Sequence, residues 1–353
     1  MGKTTSDRVA EVKKKATKDV PKIEGVQSAP TGCTLLDLIT VERPFGRVVN
    51  IVGDKSSGKT FLSIELINAC RKKFGDKLKW IYDDAERGFS FDTNKLYGFD
   101  VIEDMCDPDF VPSETVEKLS VNLDYYTESV KDDEFLIYVV DSLDALSSEA
   151  EIERIEERKK ADKKGESLSI GTYAMEKSKF LSELFRILIG KIQDSNCLII
   201  IVSQVRDNVG VSFGEKHRRS GGKALDFYAH TCLWLAEAEK HRQKNRVTGV
   251  TIKAKTKKSK TSRPFREGLI DIIFDYGVDN IGTNINYLFD LKTPEGKTRA
   301  KRTKVEWDGE EHTRDSLIAF IEENNLEDEL AKRVVDKWEA IEASIASNRK
   351  KRM

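Results

Sequence analysis

The sequence predicts an α/β fold in which a mostly parallel central sheet is flanked by helices, with an N-terminal helical arm and a small C-terminal helical lobe. Short apolar runs recur from Arg47 onward, and they are nearly continuously hydrophobic instead of alternating with polar residues. This is the pattern of strands buried on both faces of a sheet. Helix-like segments separate some of the runs, and strand–helix–strand repetition favours right-handed crossovers between parallel strands. The predicted strands are 48–52, 78–82, 135–140, 197–202 and 231–235, and the clearest helices are 60–74 and 175–193.

The two ends of the chain differ from this central part. Residues 1 to about 25 are polar and lysine-rich, with Val9, Val12 and Ala16 at helical spacing, which predicts a helix and linker suited to packing on a neighbouring subunit. Beyond Lys304, apolar residues predict a small helical lobe that ends in a basic tail. We therefore expect an N-terminal arm at 1–28, a core at 29–290 and a C-terminal lobe at 291–353.

Charge is abundant but balanced. Charged residues make up 34% of the 353 residues, and the formal net charge is only −1. Any nucleic-acid-binding surface must therefore be local. The densest basic clusters are 253–266 and 297–304. A charge run of this kind is about as often a solvated face as a binding surface, so its composition leaves both interpretations open.

The cysteine, histidine and hydropathy patterns indicate an intracellular protein. The five cysteines contain no CxxC pair, which fits a reducing compartment, and the four histidines show no metal-ligand spacing. The N-terminus lacks the apolar core of a signal peptide, and no segment approaches the ~20 apolar residues that a membrane span needs. We therefore expect a soluble cytoplasmic protein with no membrane partner.

One segment has the spacing of a phosphate-binding loop. It matches G-x-x-x-x-G-K-[ST], follows a predicted buried strand and opens a predicted helix, which is the context the motif requires. Glycines allow backbone N–H groups to surround phosphates, and the helix N-terminus favours negative charge. The sequence therefore predicts an ATP site with Lys59 on the β- and γ-phosphates and Thr60 on Mg²⁺. The loop consists of Gly53, Asp54, Lys55, Ser56, Ser57, Gly58, Lys59 and Thr60.

Suitable polar residues follow the other predicted strands. In an open parallel sheet, ligands bind at the carboxyl ends of the strands. Asp141 follows the third strand and is expected to hold Mg²⁺ through its water shell. Glu86 follows the second strand, where a carboxylate can polarise an attacking water, and Gln204 follows the fourth, where an amide can hydrogen-bond a γ-phosphate. A single acidic residue after a strand is more often a helix cap, but several strand ends supplying one reaction form a more specific pattern.

Two stretches interrupt this pattern. Residues 147–169 are almost wholly charged, and residues 206–223 are rich in glycine and basic groups. Both are typical of mobile loops, and the first is equally compatible with a solvated helix.

Several segments together resemble the RecA-type strand-exchange recombinases, with the bacteriophage UvsX-like proteins as close kin. The resemblance spans residues from about 30 to 275, and its most specific part is IIIVSQVRDNVGVSFG followed by SGGKALDFYAH. It also includes PTGCTLLDLI, RPFGRVVNIVGDKSSGKT, DDAE and VVDSLDAL. The resemblance implies a RecA-like P-loop ATPase core that uses ATP and Mg²⁺. It also implies a helical homo-oligomer on single-stranded DNA that pairs with double-stranded DNA, and single-stranded-DNA-binding and loader proteins as partners.

The same resemblance assigns roles to individual residues. It implies that Glu86 is the catalytic carboxylate, Asp141 the Walker B aspartate and Gln204 the γ-phosphate sensor. Lys258 and Lys260 resemble the two lysines that reach the ATP of an adjacent subunit, where cations stabilise charge in phosphoryl transfer. The DNA-binding residues that it implies are Lys179, Arg186, Arg206, Phe213, Gly221 and Gly222.

The sequence departs from the family pattern in three places. Thr93 occupies the position where the family has a tyrosine stacking on adenine, and Tyr97 is the alternative after a local shift. The first DNA-loop region is longer and more charged than the family pattern. The acidic C-terminal tail is replaced by basic residues, which argues against autoinhibition by such a tail.

Two other functions are compatible with parts of the sequence. A RecA-fold ATPase of another class, such as a ring helicase motor or a regulatory ATPase, keeps the nucleotide chemistry but has no reason to carry the 199–230 segments. A non-hydrolysing mediator that binds single-stranded DNA has no need of the complete set Lys59, Thr60, Glu86, Asp141 and Gln204. The residues therefore favour a DNA-dependent ATPase that couples hydrolysis to strand exchange.

Overall fold

The computed structural model describes residues 27–41, 43–164, 174–207, 217–219, 222–260, 262–292 and 304–346. The predicted arm at 1–28 lies almost wholly outside these ranges, as does the basic tail. The predicted DNA-binding residues Phe213 and Gly221 also lie outside the described residues.

A nine-stranded sheet forms the centre of the molecule, in the order β2-β3-β4-β1-β6-β7-β8-β9 with β5 paired to the end of β4. The strands from β2 to β6 in this order run parallel, and β6 to β9 continue as antiparallel neighbours. Their bounds are β1 Arg47–Gly53, β2 Leu78–Asp84, β3 Phe135–Asp141, β4 Cys197–Asp207, β5 His217–Arg219, β6 Thr231–Gln243, β7 Arg246–Ser259, β8 Glu267–Ile273 and β9 Gly277–Val278.

Helices cover both faces of the sheet. On one face, Leu198 and Ile200 of β4 pack in an apolar cluster with α1 and α2; on the other, Ile199 and Ile201 pack in a second cluster with α4, α6 and α7. Because neighbouring residues of a strand point to opposite faces, both sets must be apolar. The helices are α1 Thr34–Thr40, α2 Lys59–Phe74, α3 Thr93–Tyr97, α4 Val116–Ser129, α5 Glu149–Lys164, α6 Ala174–Gln193 and α7 Gly222–Tyr228, with α8 Asn280–Leu288, α9 Arg314–Glu323 and α10 Glu327–Ser344 beyond them.

The predicted fold class is confirmed, and the sequence analysis missed the antiparallel extension. All five predicted strands are present, and the two predicted helices begin one residue earlier than expected. The outer half of β6 is exposed, so it carries no continuous apolar run. The first half of the basic run 253–266 lies within β7, where residues 252–257 alternate between buried and half-buried positions. The charged 147–169 segment contains α5, a largely exposed helix, which agrees with the solvated-helix alternative.

The C-terminal lobe contains a small hairpin as well as the expected helices. Strands β10 Val305–Trp307 and β11 Glu310–His312 precede α9 and α10. A third apolar cluster joins these elements to α8, with Ile285, Trp307 and Leu317 fully or almost fully buried. The lobe is thus packed against the core through α8, and the predicted boundary at 290 stays a prediction. Within the described residues, no helix is long and apolar enough to cross a membrane.

Candidate nucleotide site and DNA-facing residues

The phosphate loop connects β1 to α2 and is built on two glycines. A Cβ at Gly53 would lie 2.2 Å from the Ser57 Oγ and 2.8 Å from the Leu235 carbonyl oxygen. Gly58, which precedes α2, has φ +83°, a left-handed conformation that glycine adopts without steric cost. The loop is therefore compact, and the backbone N–H groups at the start of α2 are available to an anion.

Lys59 lies within this loop with its ammonium group turned back over it. Its Nζ donates to the Asp54 carbonyl oxygen at 2.6 Å. Partial burial lowers the pKa of Lys59, while the nearby carboxylates of Asp141 and Glu86 oppose that shift. The carboxylates thus favour the charged form of the ammonium, which is the form that binds a triphosphate.

Thr60 and Asp141 meet at the carboxyl ends of β1 and β3. The Thr60 hydroxyl donates to Asp141 Oδ2 at 2.6 Å, and the Tyr82 hydroxyl donates to the same oxygen at 2.6 Å. Burial raises the pKa of Asp141, and these two hydrogen bonds act in the opposite direction. The hydroxyl and carboxylate oxygens fit Mg²⁺, a hard cation that is held by one or two protein oxygens, substrate phosphates and water.

Glu86 and Gln204 are in direct contact. Gln204 Nε2 donates to Glu86 Oε1 at 3.0 Å, and the Ser142 hydroxyl donates to the same oxygen. The Glu86 backbone N–H donates to the Asp141 carbonyl oxygen at 3.2 Å. Three separate strand ends therefore deliver Glu86, Asp141 and Gln204 to one edge of the sheet, beside the loop that holds Lys59.

The other two acids of the DDAE element have local partners. Asp83 is fully buried and accepts hydrogen bonds from the Ser113 N–H at 2.7 Å and from the Tyr138 hydroxyl at 2.8 Å. Asp84 accepts from the Phe89 N–H at 2.9 Å and so fixes the turn after β2. Of the three acids in this element, Glu86 is the one that contacts the γ-phosphate sensor candidate.

The structure places neither candidate for adenine stacking at the phosphate loop. Thr93 is fully buried, and its hydroxyl accepts a hydrogen bond from the Val101 N–H. The Tyr97 hydroxyl donates to Glu65 at 2.8 Å, and Glu65 lies six residues beyond Lys59, about 9 Å along α2. An exposed aromatic side chain, Phe91 at 46% exposure, lies instead against Phe61, the residue after Thr60.

Phe91 reaches the loop through other rings. Its ring centroid lies 6.2 Å from that of Phe61, the residue after Thr60, and 5.8 Å from that of Phe89. Phe89 in turn lies 5.2 Å from Tyr82, whose hydroxyl contacts Asp141. The sequence analysis missed Phe91, although the spacing Phe89-Ser90-Phe91 just after Glu86 was an available signal.

Lys258 and Lys260 lie away from the phosphate loop of their own chain. Lys258 pairs with Cys232, and Cys232 pairs with Asn50, the middle residue of β1 and three residues before Gly53. The Lys258 ammonium donates to the carbonyl oxygens of Asp226 and Phe227, while Lys260 is exposed. Burial, followed by the nearby charges of Lys260, Arg47 and Lys258, lowers the pKa of His230 to about 4, so this histidine adds no positive charge at neutral pH.

The rest of the basic cluster is largely occupied with contacts inside the chain. Lys253 and Lys255 form ion pairs with Glu267 at 3.1 and 3.0 Å, and Lys257 lies 3.4 Å from the centroid of the Trp234 ring. Arg263 and Arg266 both reach Glu342 of α10. Partly exposed pairs of this kind contribute little stability, on the order of 0–1 kcal/mol each, but they account for much of the charge run.

The candidate DNA-binding residues within the described part of the chain lie on three elements. Lys179 and Arg186 are both exposed on α6, seven residues apart and hence on one face, whereas Leu184 and Leu188 are buried. Arg206 lies at the end of β4, paired with Arg218 of β5, and Gly222 begins α7. The pairing of β5 with β4 thus brings residues 217–219, near the end of the glycine-rich 206–223 segment, back to the strand end that carries Gln204.

The chain is similar in sequence to several known proteins. The chain is 28% identical over 306 residues to Protein RecA of Acinetobacter baylyi, covering 86% of this chain and 80% of that protein. It is 30% identical over 304 residues to Protein RecA of Parasynechococcus marenigrum, covering 85% and 73%, and 30% identical over 310 residues to Protein RecA of Allochromatium vinosum, covering 87% and 82%. A family model described as the RecA N-terminal domain matches residues 12–279. Because this match covers most of the chain, the protein belongs to the RecA family of recombinases.

Proposed function

We propose that this protein hydrolyses ATP in response to DNA, forms helical filaments on single-stranded DNA, and pairs that strand with homologous double-stranded DNA. The observation that carries the proposal is the contact between Glu86 and Gln204 beside the Lys59 loop. One carboxylate and one amide on different strand ends are thereby positioned to respond to the same terminal phosphate.

The loop residues bind the triphosphate and shield it from bulk water. Backbone N–H groups from Gly53 to Thr60 surround the phosphates, and the Lys59 ammonium moves from the Asp54 carbonyl oxygen to the β- and γ-phosphates. Thr60 and Asp141 would hold Mg²⁺, which neutralises charge that develops on the phosphates. Tyr82 keeps Asp141 Oδ2 oriented while the Thr60 hydroxyl exchanges its partner.

Glu86 acts as the general base. Its carboxylate accepts a proton from the water that attacks the γ-phosphate, and it must be within hydrogen-bond reach of that water. The Ser142 hydroxyl and the Gln204 amide fix the orientation of the carboxylate before ATP binds. Lys258 and Lys260 of a neighbouring subunit supply further positive charge, which agrees with their position far from the loop of their own chain.

Gln204 links the γ-phosphate to DNA. When its side-chain amide turns from Glu86 to the phosphate, the end of β4 moves with it and the 206–223 segment that follows engages DNA, and hydrolysis reverses this. Lys179, Arg186 and Arg206 track the DNA backbone, Gly221 and Gly222 approach phosphates, and Phe213 lies against bases. None of these contacts selects a base, so base pairing identifies the homologous duplex. The setting is the cytoplasm of a bacterial or phage-infected cell, where single-stranded-DNA-binding and loader proteins assist assembly.

ATP turnover with and without single-stranded DNA tests the proposal together with electron microscopy of the same samples. We expect turnover to rise at least about tenfold with DNA, and continuous helical filaments to form with ATP and DNA. DNA binding should weaken steeply with salt, because phosphate contacts release counterions. An ATP turnover rate that does not change when DNA is added, or closed rings in place of filaments, would contradict the proposal and favour a motor of another class.

We further propose that Phe91 stacks on the adenine base. Replacing Phe91 by alanine should raise the KM for ATP by about tenfold with little change in kcat, because base–aromatic stacking is worth ~1–3 kcal/mol. Phe91→Tyr should restore the KM. Ile341→Ala is the matched control, since Ile341 is similarly exposed at 45% but lies on α10. An unchanged KM in Phe91→Ala would exclude this role.

A further inference from the structure

Asp144 lies where the pairing of β3 with β4 ends. The two strands are in register up to Val140 and Ile201, and the Leu143 N–H then donates to the Val202 carbonyl oxygen at 3.1 Å. Two residues further along β4, the Gln204 backbone N–H donates to Asp144 Oδ2 at 2.8 Å. The Asp144 side chain thus takes the place that a strand carbonyl would otherwise occupy.

The same segment is attached to the helix that carries the DNA-facing lysine and arginine. Lys177, in the first turn of α6, donates to the Leu146 carbonyl oxygen and, at 3.5 Å, to the Asp144 carbonyl oxygen. Lys179 and Arg186 lie further along this helix. The Asp144 carboxylate is also among the charges that act on Lys59. The short segment from Asp144 to Leu146 therefore contacts Gln204, interacts electrostatically with Lys59 and is hydrogen-bonded to α6.

We propose that Asp144 is a positioning residue for Gln204, and that residues 142–146 couple the nucleotide site to α6 through Lys177. This inference rests on the proposed function and adds a second route from ATP to DNA beside the 206–223 segment. A backbone N–H held by a carboxylate fixes the direction in which the Gln204 side chain leaves β4. When the Gln204 side chain turns toward a γ-phosphate, residues 142–146 take up part of the resulting backbone strain. Lys177 transmits this strain to α6 and so changes the position of Lys179 and Arg186.

The test combines amide hydrogen exchange with ATP turnover in the full chain. In Asp144→Ala, the backbone N–H of Gln204 should exchange its hydrogen at least about tenfold faster than in the wild type, because this N–H loses its acceptor. Asp144→Asn keeps an acceptor oxygen and should restore the protection. The ratio of DNA-stimulated to DNA-free turnover should fall at least about tenfold in Asp144→Ala and recover in Asp144→Asn.

Lys177→Met tests the second half of the link. This variant should lower the ratio of DNA-stimulated to DNA-free turnover. The hydrogen-exchange rate of the Gln204 backbone N–H should stay within about twofold of the wild-type rate. Lys191→Met is the matched control, since Lys191 lies on the same helix and is ion-paired with Asp124 and Glu128 at its other end. Asp144→Ser carries the same expectation as Asp144→Ala if the alanine variant does not fold.

The outcomes separate this inference from the function on which it rests. Unchanged Gln204 exchange in Asp144→Ala overturns the positioning role. Equal loss of turnover with and without DNA in the Asp144 and Lys177 variants overturns the coupling to α6. A wild-type protein without DNA-stimulated turnover removes the proposed function, and the coupling with it, while the exchange measurement still decides the positioning role.

Discussion

Replacing Lys59 by alanine is expected to lower ATP turnover by about a hundred- to thousandfold, the usual loss when one preorganised charge on a reacting group is removed. The Lys59 ammonium lies over the phosphate loop, where it donates to the Asp54 carbonyl oxygen at 2.6 Å. Its substitution also leaves the surrounding carboxylates of Asp141 and Glu86 without a counter-charge. Phosphate release with saturating ATP and single-stranded DNA measures the loss.

Lys77→Ala is the control for this variant. Lys77 is an exposed lysine before β2, at the opposite edge of the sheet, with a long contact of 4.0 Å to Asp133. It should behave as the wild type. If Lys59→Ala retained turnover within a few-fold of wild type, the loop would be a simple strand–helix connection and the nucleotide site would have to be sought elsewhere.

Glu86→Gln should separate hydrolysis from assembly. The amide keeps an oxygen for the Ser142 hydroxyl and the Gln204 Nε2 but can no longer accept a proton, so turnover should fall by about a hundred- to ten-thousandfold. Filaments on single-stranded DNA should still form with ATP and should persist longer than those of the wild type, because the γ-phosphate remains in place. Phosphate release and electron microscopy of the same mixtures measure both effects.

Glu103→Gln provides the control, since Glu103 is an exposed glutamate in a turn. Loss of filaments in step with loss of hydrolysis in Glu86→Gln would show that the Glu86 carboxylate supports the structure of the site instead of the chemical step. Normal turnover in this variant would require another base.

The central sheet could be predicted because burial on both faces leaves a direct trace in the sequence. Every residue of β4 from Cys197 to Val202 is fully buried, so no polar residue is tolerated there. The β6–β7 hairpin leaves no such trace. The polar side of β7 is rich in lysine, and the partner of Lys253 and Lys255 is Glu267 on the next strand, a cross-strand pairing that no local pattern reveals.

The candidate site divides in the same way. The phosphate loop is contiguous in sequence, so its spacing alone predicts its geometry, and the strand-end rule predicts that Glu86, Asp141 and Gln204 lie together. Asp144 could not be found in this way, because its contact with the Gln204 N–H depends on where β3 stops pairing with β4. Thr93 illustrates the opposite case: an ungapped position in a family pattern is here a buried helix-start residue.

The position of Lys258 and Lys260 determines how the smallest active assembly must be built. If these cations act at the ATP site of a neighbouring subunit, as proposed, every subunit contributes residues to two reaction centres. No subunit contains a complete reaction centre by itself. A row of n subunits then contains n − 1 finished centres, and its terminal member is catalytically silent. Dilution would abolish turnover before it abolishes nucleotide binding, and short rows would work disproportionately slowly.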